Sequence, residues 1–209
     1  MKIGIGVTTY KRPKCLAKFK EQLDKTYTND DVMLYVAEDT DEDRKGIAYR
    51  KNECLKALKD CDYVFLFDDD CYPIQAGWIK FFVNSGFEHL VFCDPKIHPI
   101  RNEIGDLQIY SDCGGVFMFM QKSAIDRVGA FDMSFGLYGF EHADYSNRIL
   151  GSKAYPVLKG TENYIYAEDY SNPKHRSSIN QTEKMKLAFS VINTYHNKQF
   201  TTNKYIPFQ

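Results

Sequence analysis

The chain of 209 residues has a single tryptophan, five histidines, and six cysteines without one CxxC pair. Zinc knuckles and small disulfide scaffolds need closely spaced cysteines, so these thiols are expected to be reduced and to pack as small apolar side chains. No apolar run approaches the roughly 18 residues of a membrane span, and the opening MKIGIGVTTYKRP has neither the apolar stretch nor the cleavage site of a secretory leader. The expectation is a cytoplasmic chain with no membrane span and no obligate protein partner. Neither GxxxxGKS/T nor GxGxxG follows the first apolar run, which excludes a phosphate loop and a dinucleotide fingerprint. Net charge is nearly absent as well, with 27 Lys and Arg against 28 Asp and Glu, and this argues against binding dominated by nucleic-acid phosphates.

What is present suffices for a core. Hydrophobic residues make up 44% of the chain and aromatic ones 15%, so one compact domain over residues 1–209 is expected and intrinsic disorder is excluded. Trp78 reads as core or sheet cover. Charge is unevenly spread: Glu21 to Asp70 holds 15 acids and 7 bases, whereas Lys174 to Gln209 holds 6 bases and one acid. Clustered carboxylates invite a metal ion and a basic tail invites phosphate.

Strand and helix signals alternate along the chain. KIGIGVT (2–8) reads as a strand, and Pro13 then opens a helix with Leu16, Phe19 and Leu23 on one face. VMLYVA (32–37) is a second strand ending at Glu38 and Asp39, and a helix over 45–59 follows. YVFLF (63–67) is apolar on both faces, as a central parallel strand should be, and runs into Asp68, Asp69 and Asp70. A helix near 77–84, strands at 89–93 and 114–120, a short helix from Ser123, a helix over 139–150 and a last one over 178–195 complete the pattern, while 94–112 carries no clear signal. The class is α/β with a mainly parallel sheet, and such sheets bind ligands beyond the carboxyl ends of their strands. Three of those ends are polar here. An Asp-x-Asp pair fixed at a buried strand end repels itself unless a cation intervenes, and its hard oxygens suit Mn²⁺ or Mg²⁺. A calcium loop at Asp39, Asp41 and Asp43 is excluded, because Arg44 stands where glycine is needed and Arg50 where glutamate is needed.

Taken in order, VTTYKRP, the acidic end of the second strand, GIAYRKNECLKAL, YVFLFDDDCYP, CGGVFMFMQKSAIDRVGAFD and YGFEHADYSNRI resemble the nucleotide-sugar glycosyltransferases of the GT-A fold over most of the chain. The first half is similar to family 2 of these enzymes. The second half, with GGV, then GAFD, then G-x-E-x-x-D-x-x-x-R, is also similar to β-1,4-galactosyltransferases. The resemblance implies a GT-A, Rossmann-like single domain in which residues 1–112 form a nucleotide-binding half and 113–209 an acceptor and metal-completing half. It implies a metal-dependent hexosyltransferase that moves a sugar from a UDP-sugar donor to an acceptor hydroxyl with inversion. The acceptor would be a glycan, a small molecule or DNA with modified bases.

The resemblance also assigns residues. Thr8, Tyr10 and Arg12 match the loop around the base and ribose, Asp39 an acid for the uracil or ribose, and Arg50 and Asn52 a pair near the nucleotide. Asp69, Gly114 and Gly115 join the donor site. Asp68 and Asp70 match the metal-binding pair and His175 the histidine that completes the shell, with Mn²⁺ or Mg²⁺ as the implied cofactor. Where inverting relatives carry Glu-Asp, this chain has Glu141-His142, with Asp144 two residues on. His142 is therefore a candidate base and Asp144 an alternative; the third option is that Glu141 only holds sugar or acceptor hydroxyls and the reaction retains anomeric configuration. The missing aspartate leaves open a nucleotide-sugar-binding protein that performs no transfer. A nucleotidyltransferase, which would use a similar fold, is also open.

Overall fold

A computed structural model describes residues 1–27, 31–168, 182–183, 185–187, 191–192, 195 and 203–208. Its elements are β1 (Ile3–Tyr10), α1 (Pro13–Thr26), β2 (Val32–Asp39), α2 (Ile47–Ala57), β3 (Tyr63–Asp68), β4 (Cys71–Pro73), α3 (Trp78–Val83) and β5 (His89–Val91). There follow β6 (Ile100–Ile104), β7 (Leu107–Tyr110), β8 (Phe117–Gln121), α4 (Lys122–Val128), α5 (Glu141–Leu150), β9 (Tyr155–Leu158) and β10 (Ile165–Ala167). The central sheet has the order β2-β1-β3-β8-β5. β1 is parallel to β2 and β3, and β8 runs antiparallel to β3 and β5, so four strands share one direction. The expected α/β class with a mainly parallel sheet is the observed one.

Alternation along the strands explains how this sheet takes helices on both faces. Ile3, Ile5 and Val7 of β1 point into one cluster with Phe19 and Leu23 of α1 and Trp78 and Phe82 of α3. Phe65 and Phe67 of β3 join them, while Val64 and Leu66 point the other way, against residues of α2, α4 and α5. Gly4 and Gly6 occupy the second face of β1, where a Cβ on Gly6 would lie 2.7 Å from both Cys54 Cβ and Leu66 Cδ2. The KIGIG pattern thus lets α2 rest directly on the strand. Trp78 is core, with its ring centroid 4.8 Å from Phe65 and 5.7 Å from Phe67. The six thiols are free and all but Cys15 are buried, as expected for small apolar side chains.

The stretch without a clear signal, 94–112, holds the hairpin β6–β7, which pairs with β9 in a second sheet. Every residue of β6 is exposed, so neither alternation nor an apolar run marks it. The short strands β4 and β10 pair with each other beside the aspartates, and their three residues each are too few for periodicity. The strand expected over 114–120 begins at Phe117, leaving Gly114 and Gly115 in the preceding turn. The helix expected over 178–195 lies largely outside the described residues. No helix among the described residues is long and apolar enough to cross a membrane.

Two outcomes follow from this packing. Gly6→Ala forces a methyl group into the α2 contact and is expected to cost about 1–3 kcal/mol in urea unfolding; an unchanged midpoint would mean that α2 yields freely. His89 on β5 is fully enclosed, its ring nitrogens 2.8 Å from the Phe119 carbonyl and the Ser146 hydroxyl, tying the sheet to α5. Burial lowers its pKa from 6.5 to about 4, against the pull of the Phe119 carbonyl. Between those values the unfolded chain binds the proton and the folded chain does not, so stability falls by about 3 kcal/mol as pH drops through that window. The melting temperature of the native chain should fall more steeply there than that of His89→Gln, and parallel profiles would contradict this.

Candidate active site

Strand register brings the polar ends together. Thr8 is level with Asp68 across β1 and β3, and Tyr10 with Asp39 across β1 and β2. Beyond them opens a cavity of about 310 Å³. One wall is Thr8, Thr9, Tyr10 and Arg12 after β1, with Asp68 and Asp70 after β3. A second is Asp39, Arg44, Ile47 and Arg50, and the third is the 113–116 turn with Leu137, Tyr138, Gly139, Glu141 and His142.

The three aspartates are each held differently. Thr8 donates its hydroxyl to Asp68 at 3.0 Å and Thr9 donates to Asp69 at 2.5 Å. Arg12 spans the turn, one guanidinium nitrogen on Asp69 and another on Asp70. Burial raises the Asp68 carboxyl, opposed by Lys51, and pushes Asp69 up to about 7, opposed by Arg12 and Thr9. Asp69 is fully buried and does not line the cavity, so it supports the turn from beneath. Asp68 and Asp70 do line it. Two carboxylates are the set a Mg²⁺- or Mn²⁺-type ion takes from a protein when substrate phosphates and water complete its shell, and the guanidinium on Asp70 shows that the position attracts positive charge. Among the described residues no group of three His, Cys, Asp or Glu side chains could hold a metal by itself. His175 lies outside the described residues.

The residues at the end of β2 and on α2 divide in the same way. Asp39 lines the cavity, but it also accepts from the Lys45 and Gly46 amides at 2.8 and 3.1 Å and from Arg50 Nε at 3.2 Å. It pins the start of α2 while keeping spare acceptor capacity. Arg50 also reaches Glu53 and Asp43. Asn52 is not on the cavity wall. Its side chain pairs with both backbone groups of Phe131, at 3.0 and 2.7 Å, and so fastens α2 to the segment leading to α5. Arg44, which the motifs did not single out, stacks its guanidinium 4.7 Å from the Tyr10 ring centroid and donates to Glu183.

Opposite the aspartates stands the start of α5. Phe140 there has φ 64°, a left-handed value rare for a bulky residue, and its ring stacks on Tyr195 at 4.7 Å. Glu141 is buried on the cavity wall, and Lys51 Nζ donates to it at 3.0 Å and to the Gly115 carbonyl at 3.2 Å. Burial would raise the Glu141 carboxyl, but Lys51 and then His142 more than reverse this and hold it well below the usual carboxylate range. The Lys51 pKa is raised in turn, burial being outweighed by Glu141 and Asp68. His142 lies with Nδ1 3.3 Å from Glu141 and Nε2 3.1 Å from the Cys113 carbonyl. A Cβ on Gly115 would sit 2.7 Å from that Nδ1, so this glycine gives room to the imidazole. Asp144 does not line the cavity. Its carboxylate accepts from Arg148 Nε at 3.0 Å, and Arg148 donates onward to the carbonyls of Val128, Ala130 and Lys204. The D-x-x-x-R part of the motif therefore anchors α5, and of the two candidate bases only His142 faces the cavity.

Lys51 was legible only indirectly. Ala48, Lys51, Leu55 and Leu58 follow helical spacing, so a lysine inside an apolar stripe was the signal.

No protein-family profile matches the chain. It is 26% identical over 201 residues to an uncharacterized glycosyltransferase of Acanthamoeba polyphaga mimivirus, covering 78% of each chain. Its fold is similar to S. aureus TarS, with a TM-score of 0.61 at 15% identity over 80% of this chain and 36% of TarS. It is also similar to Drosophila β-1,4-galactosyltransferase 7, solved with manganese, UDP-Gal and xylobiose, with a TM-score of 0.56 at 16% identity over 87% of this chain and 78% of that one. The fold is thus that of the GT-A glycosyltransferases, as the resemblance implied. The curated relative is named a glycosyltransferase and the solved structures share the fold, and the chain spans only about a third of the length of TarS.

Lys51→Met leaves Glu141 enclosed without its cation and is expected to lower unfolding stability by about 3–5 kcal/mol. Pairing it with Glu141→Gln should restore part of that loss. Additive losses in the double variant would show that the two groups are not coupled.

Proposed function

We propose that this chain transfers a sugar from a nucleoside diphosphate donor, a UDP-sugar, to an acceptor hydroxyl, with inversion at the anomeric carbon. The observation that carries the reading is one cavity with Asp68 and Asp70 on one wall and the Glu141–His142 pair on another. Similarity to a manganese- and UDP-Gal-bound galactosyltransferase supports the choice of donor and ion. Residues 1–112 supply the nucleotide side and residues from 113 onward supply the acceptor side.

Asp68 and Asp70 are the residues that would hold Mn²⁺ or Mg²⁺, which when bound neutralises the diphosphate and so eases its departure. Thr8, Tyr10, Arg12, Asp39 and Arg50 form the wall on which the nucleotide rests. Tyr10 brings an aromatic face braced by Arg44, and Asp39 brings its remaining acceptor sites. His142 takes the proton of the acceptor hydroxyl at Nε2, which must turn from the Cys113 carbonyl to accept it, while Nδ1–H stays on Glu141. The imidazolium so formed has an acceptor at each nitrogen, Glu141 at Nδ1 and the Cys113 carbonyl at Nε2, as a base paired with a carboxylate should. Lys51 keeps Glu141 ionised for that task. Proton removal on one side of the sugar and departure of the diphosphate on the other is the arrangement of a single inverting displacement.

Hydrolysis of a panel of nucleotide sugars with and without Mn²⁺ tests the reading without knowledge of the acceptor. One donor should be hydrolysed, and Asp70→Asn should slow this by about 10²-fold or more while the chain still melts cooperatively. Tight donor binding with neither hydrolysis nor transfer would mean a binding protein instead, and full activity in chelator would remove the ion.

A further inference from the structure

We infer that Arg12 is an internal cation of the aspartate turn, which competes with a divalent ion for Asp70 and, once displaced, stays beside the ion to meet the donor's phosphate. This rests on the reading that Asp68 and Asp70 hold that ion.

Arg12 stands between β1 and α1 and lines the cavity. Its guanidinium binds two carboxylates of different standing. Asp69 is fully buried, takes a second bond from Thr9 and does not face the cavity, so it is a permanent anchor. Asp70 lines the cavity, so it is the partner that an ion arriving with the donor would claim. The planar fork makes the exchange possible. One nitrogen can release Asp70 while the other remains on Asp69, and no part of the backbone has to move.

A guanidinium is charged at every relevant pH, so protonation does not work this device; competition between cations does. Before the donor arrives, the like charges of Asp69 and Asp70 are compensated by Arg12. An ion alone must displace that charge, and it gains little. An ion carrying diphosphate also supplies an anion for the freed guanidinium nitrogen, so ion and donor should bind together far better than either binds alone. The arrangement delays metal loading until the nucleotide is present.

Mn²⁺ binding to the full chain, read by the electron paramagnetic resonance of the free ion, tests this independently of turnover. The native chain should bind Mn²⁺ weakly alone and much more tightly with UDP. Arg12→Gln should bind Mn²⁺ alone about tenfold tighter or more than native, and should lose most of the gain from UDP. Arg12→Lys, a point charge that cannot span both carboxylates, should fall between them and carries the test if the glutamine variant does not fold. Equal Mn²⁺ affinity in native and variant chains without UDP overturns the inference and leaves the glycosyltransferase reading intact. Absence of Mn²⁺ binding in all chains, with or without UDP, overturns the inference together with the ion assignment.

Discussion

Three consecutive carboxylates at the end of a buried strand are the constraint around which the site is arranged. Each would be costly alone, and each receives a different remedy: a threonine hydroxyl for Asp68, a threonine and a guanidinium for Asp69, and the same guanidinium for Asp70. These remedies come from the end of β1, which the parallel register places level with the end of β3. Losing that register by one residue would turn Thr8 and Thr9 to the wrong faces and leave the acids unpaired.

The opposite wall depends on a second buried charge pair. Lys51 joins Glu141 to the Gly115 carbonyl and lies close enough to Asp68 to affect its protonation, so it links the acidic turn to the start of α5 from below. Around it, residues of similar polarity divide into two kinds of work. Asn52 and the Asp144–Arg148 pair bind backbone groups and fix elements in place, whereas Glu141 and His142 line the cavity. The rigidity of α5, held at one end by Arg148 and at its flank by His89, keeps the imidazole against Gly115 and the Cys113 carbonyl.

Much of the fold was legible because it rests on periodicity. The apolar runs of β1 and β3, the proline opening α1 and the acids closing β2 and β3 all announce elements by local rules. The hairpin β6–β7 was not legible, because a strand exposed along its whole length carries no burial pattern. The site was half legible. Asp68, Asp70, Arg12 and His142 were named from motifs and line the cavity, but the same motifs named Asn52, Asp69 and Asp144, which do not.

The order of residues by itself determined that acids would sit at strand ends, and that a histidine stands where the family resemblance leads one to expect an aspartate. Only the tertiary structure decided which of those polar groups line the cavity and which fasten elements together. The reason is that the energy of a buried charge is set by its partner. Here the partners are distant in sequence, Arg12 reaching Asp69 and Asp70, Lys51 reaching Glu141 across 90 positions, and Arg148 reaching carbonyls from Val128 to Lys204.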